Sequence, residues 1–443
     1  MKNNIKTLVI MAFMIPLVSF MASCTFDEVI DPNGPSVDGV LKNASKGQLN
    51  ELVVGIESTS RNGMGTEALA NGTMARELYL FNAEPRYTGD MLGKDGLTLD
   101  NNSFYSTGSW NGNYRCIKNV SLLLEAVTNT DAVTEAEMNG YLGFAKTMMA
   151  EELIQILKSY GKARLDVSDP DNLGPIVEFD EGMARVRSLL DEGQQHLSNA
   201  GNSFVFNLST GFDGFDTPAT FSEFNRALAG VAAVYAGEGE AALTALSNSY
   251  FDLTGDLEIG PKHIFGLGGG DQSNPVFRVP STVDKPNNGD QIIVHNTWLA
   301  DAENGDTRVA EKTALRPNPT TQDDLSGTHE ALLYESDTSP IDFLRNEELI
   351  LVYAEANILA NNLQDAEDAL NVIRNSASLP DYTGAQTVEA LTTELLKQRR
   401  YSLWAENHRM FDLRRYGLSN TLPIDRAGDQ VFNIMPIPLP ENN

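Results

Sequence analysis

Near the C-terminus, apolar residues recur among polar ones at the spacing that predicts a helical hairpin. Over residues 349–360 the apolar positions return every three or four residues, and after Asn361-Asn362 the same period resumes over residues 363–373. Such a stripe covers one face of a helix. Two stripes separated by a two-residue break therefore predict two antiparallel helices that pack face to face, with Leu379-Pro380 ending the second.

A further helix is predicted between Thr387 and Gly417. Thr387 is a suitable N-cap, and Glu389 places a carboxylate in the first turn, where it suits the positive end of the helix dipole. The helical period continues to Trp404, and Arg414-Arg415 before Gly417 is a basic last turn with a glycine stop. The pattern predicts one continuous helix.

Weaker stripes earlier in the chain predict more helices of the same kind. They cover residues 117–127, 142–156, 183–197 and 221–235, and a short turn at Gly237-Glu238-Gly239 separates the last of them from another short helix. Short helices in pairs, joined by tight turns, are typical of tetratricopeptide-like hairpins. The sequence has no strict 34-residue repeat. The predicted fold class is mainly α.

Two stretches do not follow a helical period, residues 86–115 and residues 251–342. The first places aromatic side chains among amides and charged groups, and the second is rich in Gly, Pro, Asn and Asp. A pyranose ring offers an apolar C–H face for stacking and hydroxyl groups that pair with planar donors and acceptors. This mixture of residues therefore suits a carbohydrate site. The candidate ligand-binding residues are Arg86, Tyr87, Asp90, Tyr105, Trp110 and Asn111 in the first stretch and Trp298 in the second.

A packing role competes with the binding role at several of these positions. Trp110 and Tyr114 lie four residues apart, just before the predicted helix of residues 117–127, so either ring could belong to the core. Arg86 and Asp90 could equally be loop structure or solvated charge. If Trp110 contacts the ligand, its replacement by alanine abolishes glycan binding and leaves the circular dichroism spectrum unchanged.

The charge balance excludes one class of partner. The chain has 32 basic and 61 acidic side chains, a formal net charge of −29, which repels nucleic-acid phosphates and anionic lipid head groups. A neutral or cationic ligand suits such a protein better. The apolar share of 41% is sufficient for a sizeable core. Because no Pro/Ser-rich linker divides the chain, residues 41–443 are predicted to form a single domain.

The N-terminus has the features of an exported lipoprotein. Residues 1–6 are basic, and the apolar stretch of residues 8–20 is too short to span a bilayer comfortably. Met21-Ala22-Ser23-Cys24 places small residues before a cysteine, as in a bacterial lipobox. We therefore expect residues 1–23 to be a signal peptide and Cys24 to be lipidated. The turn-rich residues 24–40 suit a flexible tether.

Patterns typical of catalytic or metal sites are weak. The five histidines have no spacing that suits zinc, and the Gly-rich run at residues 266–270 lacks the lysine of a phosphate loop. Among 61 acidic residues, carboxylate pairs such as Asp323-Asp324 are expected by chance, so they are weak evidence for glycosidase chemistry. Residues 169–174 and 252–256 resemble calcium loops but lack the ligand at the twelfth position. No cofactor is predicted, although calcium at these loops stays open as a minor alternative, and Cys116 is interpreted as a small buried hydrophobe.

The C-terminal block resembles the RagB/SusD family. The resemblance rests on submotifs that occur in the family's order, namely Tyr353-Ala354-Glu355-Ala356-Asn357, Ala369-Leu370-Asn371-Val372-Ile373-Arg374 with Leu379-Pro380, and Phe411-Asp412-Leu413-Arg414-Arg415-Tyr416-Gly417. It implies a SusD-like fold of tetratricopeptide-like helical hairpins with a loop-rich ligand-binding face.

The same resemblance implies a non-enzymatic, lipid-anchored glycan-binding protein on the surface of the outer membrane. Such a protein captures an oligosaccharide or polysaccharide and, as a hinged lid, delivers it to a TonB-dependent SusC-like transporter. Asp27 and Glu28, close behind Cys24, resemble the acidic tag of surface lipoproteins in Bacteroidetes. Three alternatives remain open: a peptide-binding RagB-like uptake protein, a secreted glycoside hydrolase and a pure scaffold.

Overall fold

Antiparallel helices make up most of the regular structure. The computed structural model describes residues 37–442, apart from Pro170 and residues 283–288. The main helices are α1 (Val37–Asn43), α2 (Lys46–Thr59), α3 (Phe104–Thr128), α4 (Glu135–Tyr160), α5 (Phe179–Ser198), α6 (Pro218–Tyr235), α7 (Gly239–Leu246), α8 (Asn296–Ala300), α9 (Thr307–Lys312), α10 (Asn346–Leu359), α11 (Leu363–Ser376), α12 (Val388–Ser402) and α13 (Arg409–Arg415). The predicted mainly α class is confirmed.

Local signals explain where the long helices begin and end. Thr134 caps α4 in a capping box with Glu137, each side chain bonding the backbone of the other. Thr217 caps α6 in the same way, ahead of Pro218 at the first helical position. Helix α4 ends at Gly161, whose φ of 66° is left-handed.

Consecutive helices pack in a row. Helix α3 lies against α4, α4 against α5, α5 against α6 and α6 against α7, and α7 contacts the C-terminal helix α10. Small residues permit the closest approaches: a Cβ on Gly143 of α4 would lie 2.6 Å from the Leu197 side chain of α5, and one on Gly239 of α7 would lie 2.5 Å from the carbonyl oxygen of Ala356. This row of helices is the scaffold on which the irregular segments are placed.

The predicted C-terminal hairpin is present as α10 and α11. Asn361, in the break between them, has a left-handed φ of 61°, a conformation that asparagine tolerates better than most residues. Apolar side chains of the pair form a separate buried cluster together with α12. The motif residues stabilise this arrangement, because Arg415 pairs with both Glu355 of α10 and Asp412.

The prediction of one continuous helix up to Gly417 is wrong. Helix α12 ends at Ser402, α13 begins only at Arg409, and Ala405 and Asn407 between them have positive φ angles. Contacts with distant residues cause this break. The Trp404 indole donates to the carbonyl oxygen of Glu77 at 3.1 Å, and Arg345 pairs with Glu406 at 2.5 Å.

Short strands supply the remaining regular structure. They are β1 (Leu78–Phe81), β2 (Lys162–Arg164), β3 (Ile176–Glu178), β4 (Lys262–His263), β5 (Gln291–Val294), β6 (Thr313–Gln322), β7 (Leu325–Ala331) and β8 (Ile341–Asp342). Four of them form an antiparallel sheet in the order β1-β5-β7-β6, with Leu78 opposite Val294 and Ile293 opposite Glu330. The sheet therefore joins β1, which lies just before the first irregular stretch, to strands of the second stretch.

Two more sequence predictions are settled in this part of the chain. Residues 104–115, predicted to be loop-rich, are the first turns of α3, so that prediction is wrong for them. Cys116 is fully buried with a free thiol, as interpreted.

At the N-terminus, helix α1 already includes residues 37–40 of the predicted tether. Cys24 and the predicted signal peptide lie outside the described residues. Within the residues that the structure describes, every helix is too short or too polar to cross a membrane.

Candidate functional site

An open depression of about 610 Å³ lies where the two irregular stretches meet at the surface. The segment that follows β1 supplies most of the lining, and the turn between β6 and β7 supplies the rest. This volume falls within the range of about 300–1,000 Å³ that is usual for small-ligand sites. The lining residues are Asn82, Ala83, Pro85, Arg86, Thr88, Gly89, Asp90, Lys94, Leu97, Gln322 and Asp323.

The β6–β7 turn reaches the depression through sheet pairing. Gln322 and Leu325 are opposed in the register, so Asp323 and Asp324 form a two-residue turn, and both have left-handed φ angles of 52° and 62°. Such φ angles match the twist of a hairpin. The Gln322 side chain donates to the carbonyl oxygen of Asn82 at 2.9 Å, which joins the turn to the segment after β1.

Ion pairs fix one wall of the depression. The Asp323 carboxylate pairs with Lys94 and, at 2.8 Å, with Arg426. Arg426 also donates to the carbonyl oxygen of Thr88 and pairs with the buried Asp429. Burial opposes ionisation of Asp323, but hydrogen bonds from Lys94 and Arg426 outweigh it and hold its pKa below the usual range. The wall therefore consists of charges that are already paired.

Arg86 is held in one orientation at the surface. Its guanidinium donates to both carboxylate oxygens of Glu84 at 2.7 Å and to the Ser103 hydroxyl at 3.1 Å. The same group lies over the Phe104 ring, 4.8 Å from its centroid. Because the Arg86 side chain is still 40% exposed, it presents oriented N–H groups to a ligand.

Asp90 is oriented from below by a buried ring. The Tyr105 hydroxyl donates to one Asp90 carboxylate oxygen at 2.9 Å and accepts from the backbone N–H of Asp100 at 2.6 Å. Tyr105 itself is fully buried, and burial raises its pKa well above the usual value. It therefore supports the site without forming part of its surface.

The predicted aromatic residues lie in the core. Trp110 is 2% exposed, and its ring centroid lies 5.0 Å from that of Tyr160. Trp298 is 0% exposed, and its ring centroid lies 4.8 Å from that of Trp404. Tyr87 is 7% exposed and packs on Phe104. These positions support the packing interpretation that the sequence left open. Neither indole has a face available to a sugar.

Of the predicted site residues, Arg86 and Asp90 line the depression. Asn111 is exposed on α3 and is not part of its lining. Sequence reasoning missed Asn82, Lys94 and Leu97, together with Gln322 and Asp323. For the last two a signal existed, since Asp323-Asp324 separates two extended runs and is a plausible hairpin turn.

The lining suits a neutral ligand rich in hydroxyl groups. Its two cations, Arg86 and Lys94, match its two carboxylates, Asp90 and Asp323. Amide groups of the lining add donors and acceptors in one plane. Leu97, 48% exposed, offers an apolar surface at the rim. This combination of fixed hydrogen-bonding groups and a small apolar surface can bind a sugar ring.

Comparison with known proteins gives one family and a consistent fold. The SusD family model matches residues 326–435. Among solved structures, surface glycan-binding protein A from Bacteroides thetaiotaomicron aligns with a TM-score of 0.71 at 15% identity, covering 91% of this chain and 97% of that one. Its complex with laminarihexaose gives 0.69 at 16% identity, covering 90% and 97%.

Another similar structure is a SusD superfamily protein from Parabacteroides distasonis, with a TM-score of 0.68 at 18% identity over 90% of this chain and 97% of that chain. No curated protein matches the sequence. At these identities the structures establish the fold. The resemblance is confirmed at this level: residues 326–435 match the SusD family model, and the chain has the fold of these SusD superfamily structures over about 90% of its length.

Proposed function

We propose that this protein captures an oligosaccharide at the cell surface, in the depression between the segment after β1 and the β6–β7 turn. The observation on which the proposal rests is that this depression joins residues of both irregular stretches, with Arg86, Lys94 and Asp323 in ion pairs and Asp90 hydrogen-bonded to Tyr105. A neutral glycan can then bind without leaving an unpaired buried charge. The laminarihexaose complex of a protein with the same fold supports the choice of ligand class.

Orientation of the polar groups before binding is the source of affinity in this proposal. Arg86 is held by Glu84 and Ser103, and Asp90 by Tyr105. Because these side chains lose little freedom when a sugar binds, more of the hydrogen-bond energy contributes to affinity. Stacking would come from the apolar rim at Leu97 and Pro85.

The proposed place of action is the outer surface of the outer membrane. Support comes from the sequence of residues 1–28, with Cys24 as the lipidated residue and Asp27 and Glu28 behind it. We further propose that the protein acts as a lid on a TonB-dependent SusC-like transporter. Copurification of such a barrel with the tagged full-length protein from outer membranes tests this partnership.

Calorimetry with laminarihexaose and a panel of polysaccharides tests the binding site. We expect Arg86→Ala and Asp90→Asn each to weaken binding by about tenfold or more, because each removes an oriented hydrogen bond to the ligand. Arg185→Ala is the matched control, since that arginine is also 40% exposed and ion-paired, to Glu192 at 2.8 Å. Leu97→Ala should weaken binding less, and Leu173→Ala, at a residue 43% exposed, is its control.

Other outcomes would select a different function. Heat of binding from peptides and none from glycans would identify a peptide-uptake protein. Release of reducing ends from a polysaccharide by the purified protein would identify a glycoside hydrolase. Glycan binding that Arg86→Ala and Asp90→Asn leave unchanged would move the site away from this depression.

A further inference from the structure

A second cavity, of about 410 Å³, is lined by residues of the helical row, the second irregular stretch and the C-terminal helical block. Its charges differ from one end to the other. At one end Arg345 pairs with Glu347 at 2.7 Å and with Glu406 at 2.5 Å, and Asp342 lies 3.7 Å away. This end is a closed network of ion pairs.

The other end has an excess of carboxylates. It brings together Glu67, Glu151 and Glu152 with Glu348 and a single ammonium, that of Lys158. These side chains belong to residues that are between 1% and 6% exposed. Carboxyl groups therefore outnumber the ammonium in this set, and the guanidinium groups of Arg345 and Arg399 also face Glu348.

The hydrogen-bonding capacity of these groups is only partly used. Asn113 donates to Glu67 at 2.7 Å and Gln155 donates to Glu151 at 2.9 Å. In the described part of the chain, one carboxylate oxygen of Glu152 has no hydrogen-bond partner, although the residue is 1% exposed and lines the cavity. A buried polar atom without a partner costs about 1–3 kcal/mol. The Cys116 thiol donates to the same carboxylate, and a ligand donor that reaches the unpaired oxygen would add a second hydrogen bond.

The ionisation of the cluster reflects this crowding. Burial raises the pKa of Glu151 to about 7 and raises those of Glu67, Glu152 and Glu348. Burial also lowers the pKa of Lys158. Burial therefore favours the protonated form of these carboxyl groups. Other charged or titratable groups that face the cluster are Cys116, Tyr235, Arg345, Arg399, Glu406, His408 and Asp412.

We propose that this cavity binds a small aliphatic diamine in its cationic form. Its ammonium groups would contact the carboxylates of Glu67, Glu151 and Glu152. The excess of carboxyl groups at this end disfavours an anion. An ammonium group donates three hydrogen bonds and so satisfies the free Glu152 oxygen. Within residues 37–442, apart from the gaps noted above, no cluster of His, Cys, Asp or Glu suits a metal ion. The inference does not rest on the proposed glycan function.

Calorimetry of the intact mature protein with 1,4-diaminobutane tests this inference, with 1,4-butanediol as a neutral control of the same length. Only the diamine should bind. Its ammonium groups should displace protons from the carboxylates, so binding should tighten between about pH 6 and pH 8, and the heat should depend on the ionisation enthalpy of the buffer.

Two variants should act in opposite directions. Glu152→Gln should weaken diamine binding by about tenfold, and Lys158→Met should strengthen it, because it removes a like charge from the cavity. Lys162→Met and Glu178→Gln are the controls, since they alter an exposed ion pair outside the cavity. If Glu152→Gln fails to fold, Glu151→Gln replaces it with the same expectation.

Several results would overturn the proposal. One is that the diamine and the diol give equal heats, and another is that the diamine binds at no pH. The third is that Glu152→Gln and Lys158→Met, both folded, each weaken the binding of the diamine. Failure of the glycan site is distinguishable, because Arg86→Ala should leave the binding of 1,4-diaminobutane unchanged.

Discussion

The guanidinium of Arg426 lies 2.8 Å from the carboxylate of Asp323, and the two residues are 103 positions apart in the chain. Asp323 stands in the β6–β7 turn with a left-handed φ of 52°, and Arg426 belongs to the C-terminal segment. Arg426 also reaches the carbonyl oxygen of Thr88. A single side chain of the C-terminal segment thus ties together the hairpin turn and the segment after β1, which line the depression.

Replacing Arg426 by alanine should both destabilise the protein and weaken glycan binding. The Arg426 side chain is 9% exposed and that of its partner Asp429 is 0% exposed, so its loss removes the ion-paired partner of a buried carboxylate and leaves the more weakly coupled Arg76. Such losses cost about 3 kcal/mol, measurable by denaturant unfolding. The exposed pair at Arg185 should cost less than about 1 kcal/mol when broken by Arg185→Ala. Equal effects of the two variants would contradict the role given to Arg426.

Gly93 should tolerate substitution far less well than Gly417. Both have a φ of 67°, but a Cβ on Gly93 would lie 2.5 Å from the Gln430 side chain and 2.8 Å from its backbone nitrogen, whereas one on Gly417 meets nothing within 4 Å. We expect Gly417→Ala to cost about 1 kcal/mol from backbone strain alone. Gly93→Ala should cost roughly 2–4 kcal/mol, because overpacking adds to the strain. Thermal unfolding of the two variants tests the difference.

Trp110→Ala should act on stability before it acts on binding. The indole is 2% exposed and packs on Tyr114 and Tyr160, so its loss creates a core cavity and should cost about 3–5 kcal/mol. The measurement is denaturant unfolding, with glycan affinity determined well below the transition. An unchanged unfolding midpoint together with lost binding would restore the ligand-contact hypothesis that the sequence suggested.

Glu303 should contribute to the pH dependence of stability. Hydrogen bonds from Arg374, opposed by burial and aided by Lys397, lower its pKa from 4.5 to about 2. Because the folded-state value is the lower one, this contribution is present above pH 4.5 and is lost as the pH falls through about 2. Glu303→Gln should therefore destabilise the protein by about 1 kcal/mol at neutral pH, after allowance for solvent screening.

The measurement for Glu303 is the free energy of unfolding of both proteins from pH 7 down to about pH 3. Their difference should shrink on acidification. The matched control is Glu178→Gln, at a side chain that is 76% exposed, and it should give a small difference at every pH. A Glu303→Gln effect that grows on acidification would contradict the assignment.

Much of the helical scaffold follows from local sequence. The stripes at residues 349–360 and 363–373 became α10 and α11, and Thr387 caps α12 as expected. Helical period and capping depend on residues within about four positions of each other, so they can be recognised without the fold. The family motif belongs to this class, because its charged residues, such as Glu355 and Arg415, pair within the scaffold.

The site could be predicted only in part. Arg86 and Asp90 were found because they lie in a stretch without helical period, but the same stretch contains the start of α3, where Trp110 turned inward. Leu97 and Gln322 were missed, since nothing near either residue indicates that they lie on one surface. Sheet pairing between β5 and β7 brings the hairpin turn to the depression.

The sequence by itself determined most of the helices, the cap at Thr387, the acidic character and the family signature, because each depends on composition or on contacts between near neighbours. Tertiary structure alone decided which faces are covered. It buried Trp110 and Trp298, broke the last helix at Ser402 and placed Asp323 beside Arg426. The physical reason is that the burial of a side chain and the pairing of a charge depend on partners tens to hundreds of residues away in the chain. Those partners cannot be recognised from the residues next to a given position.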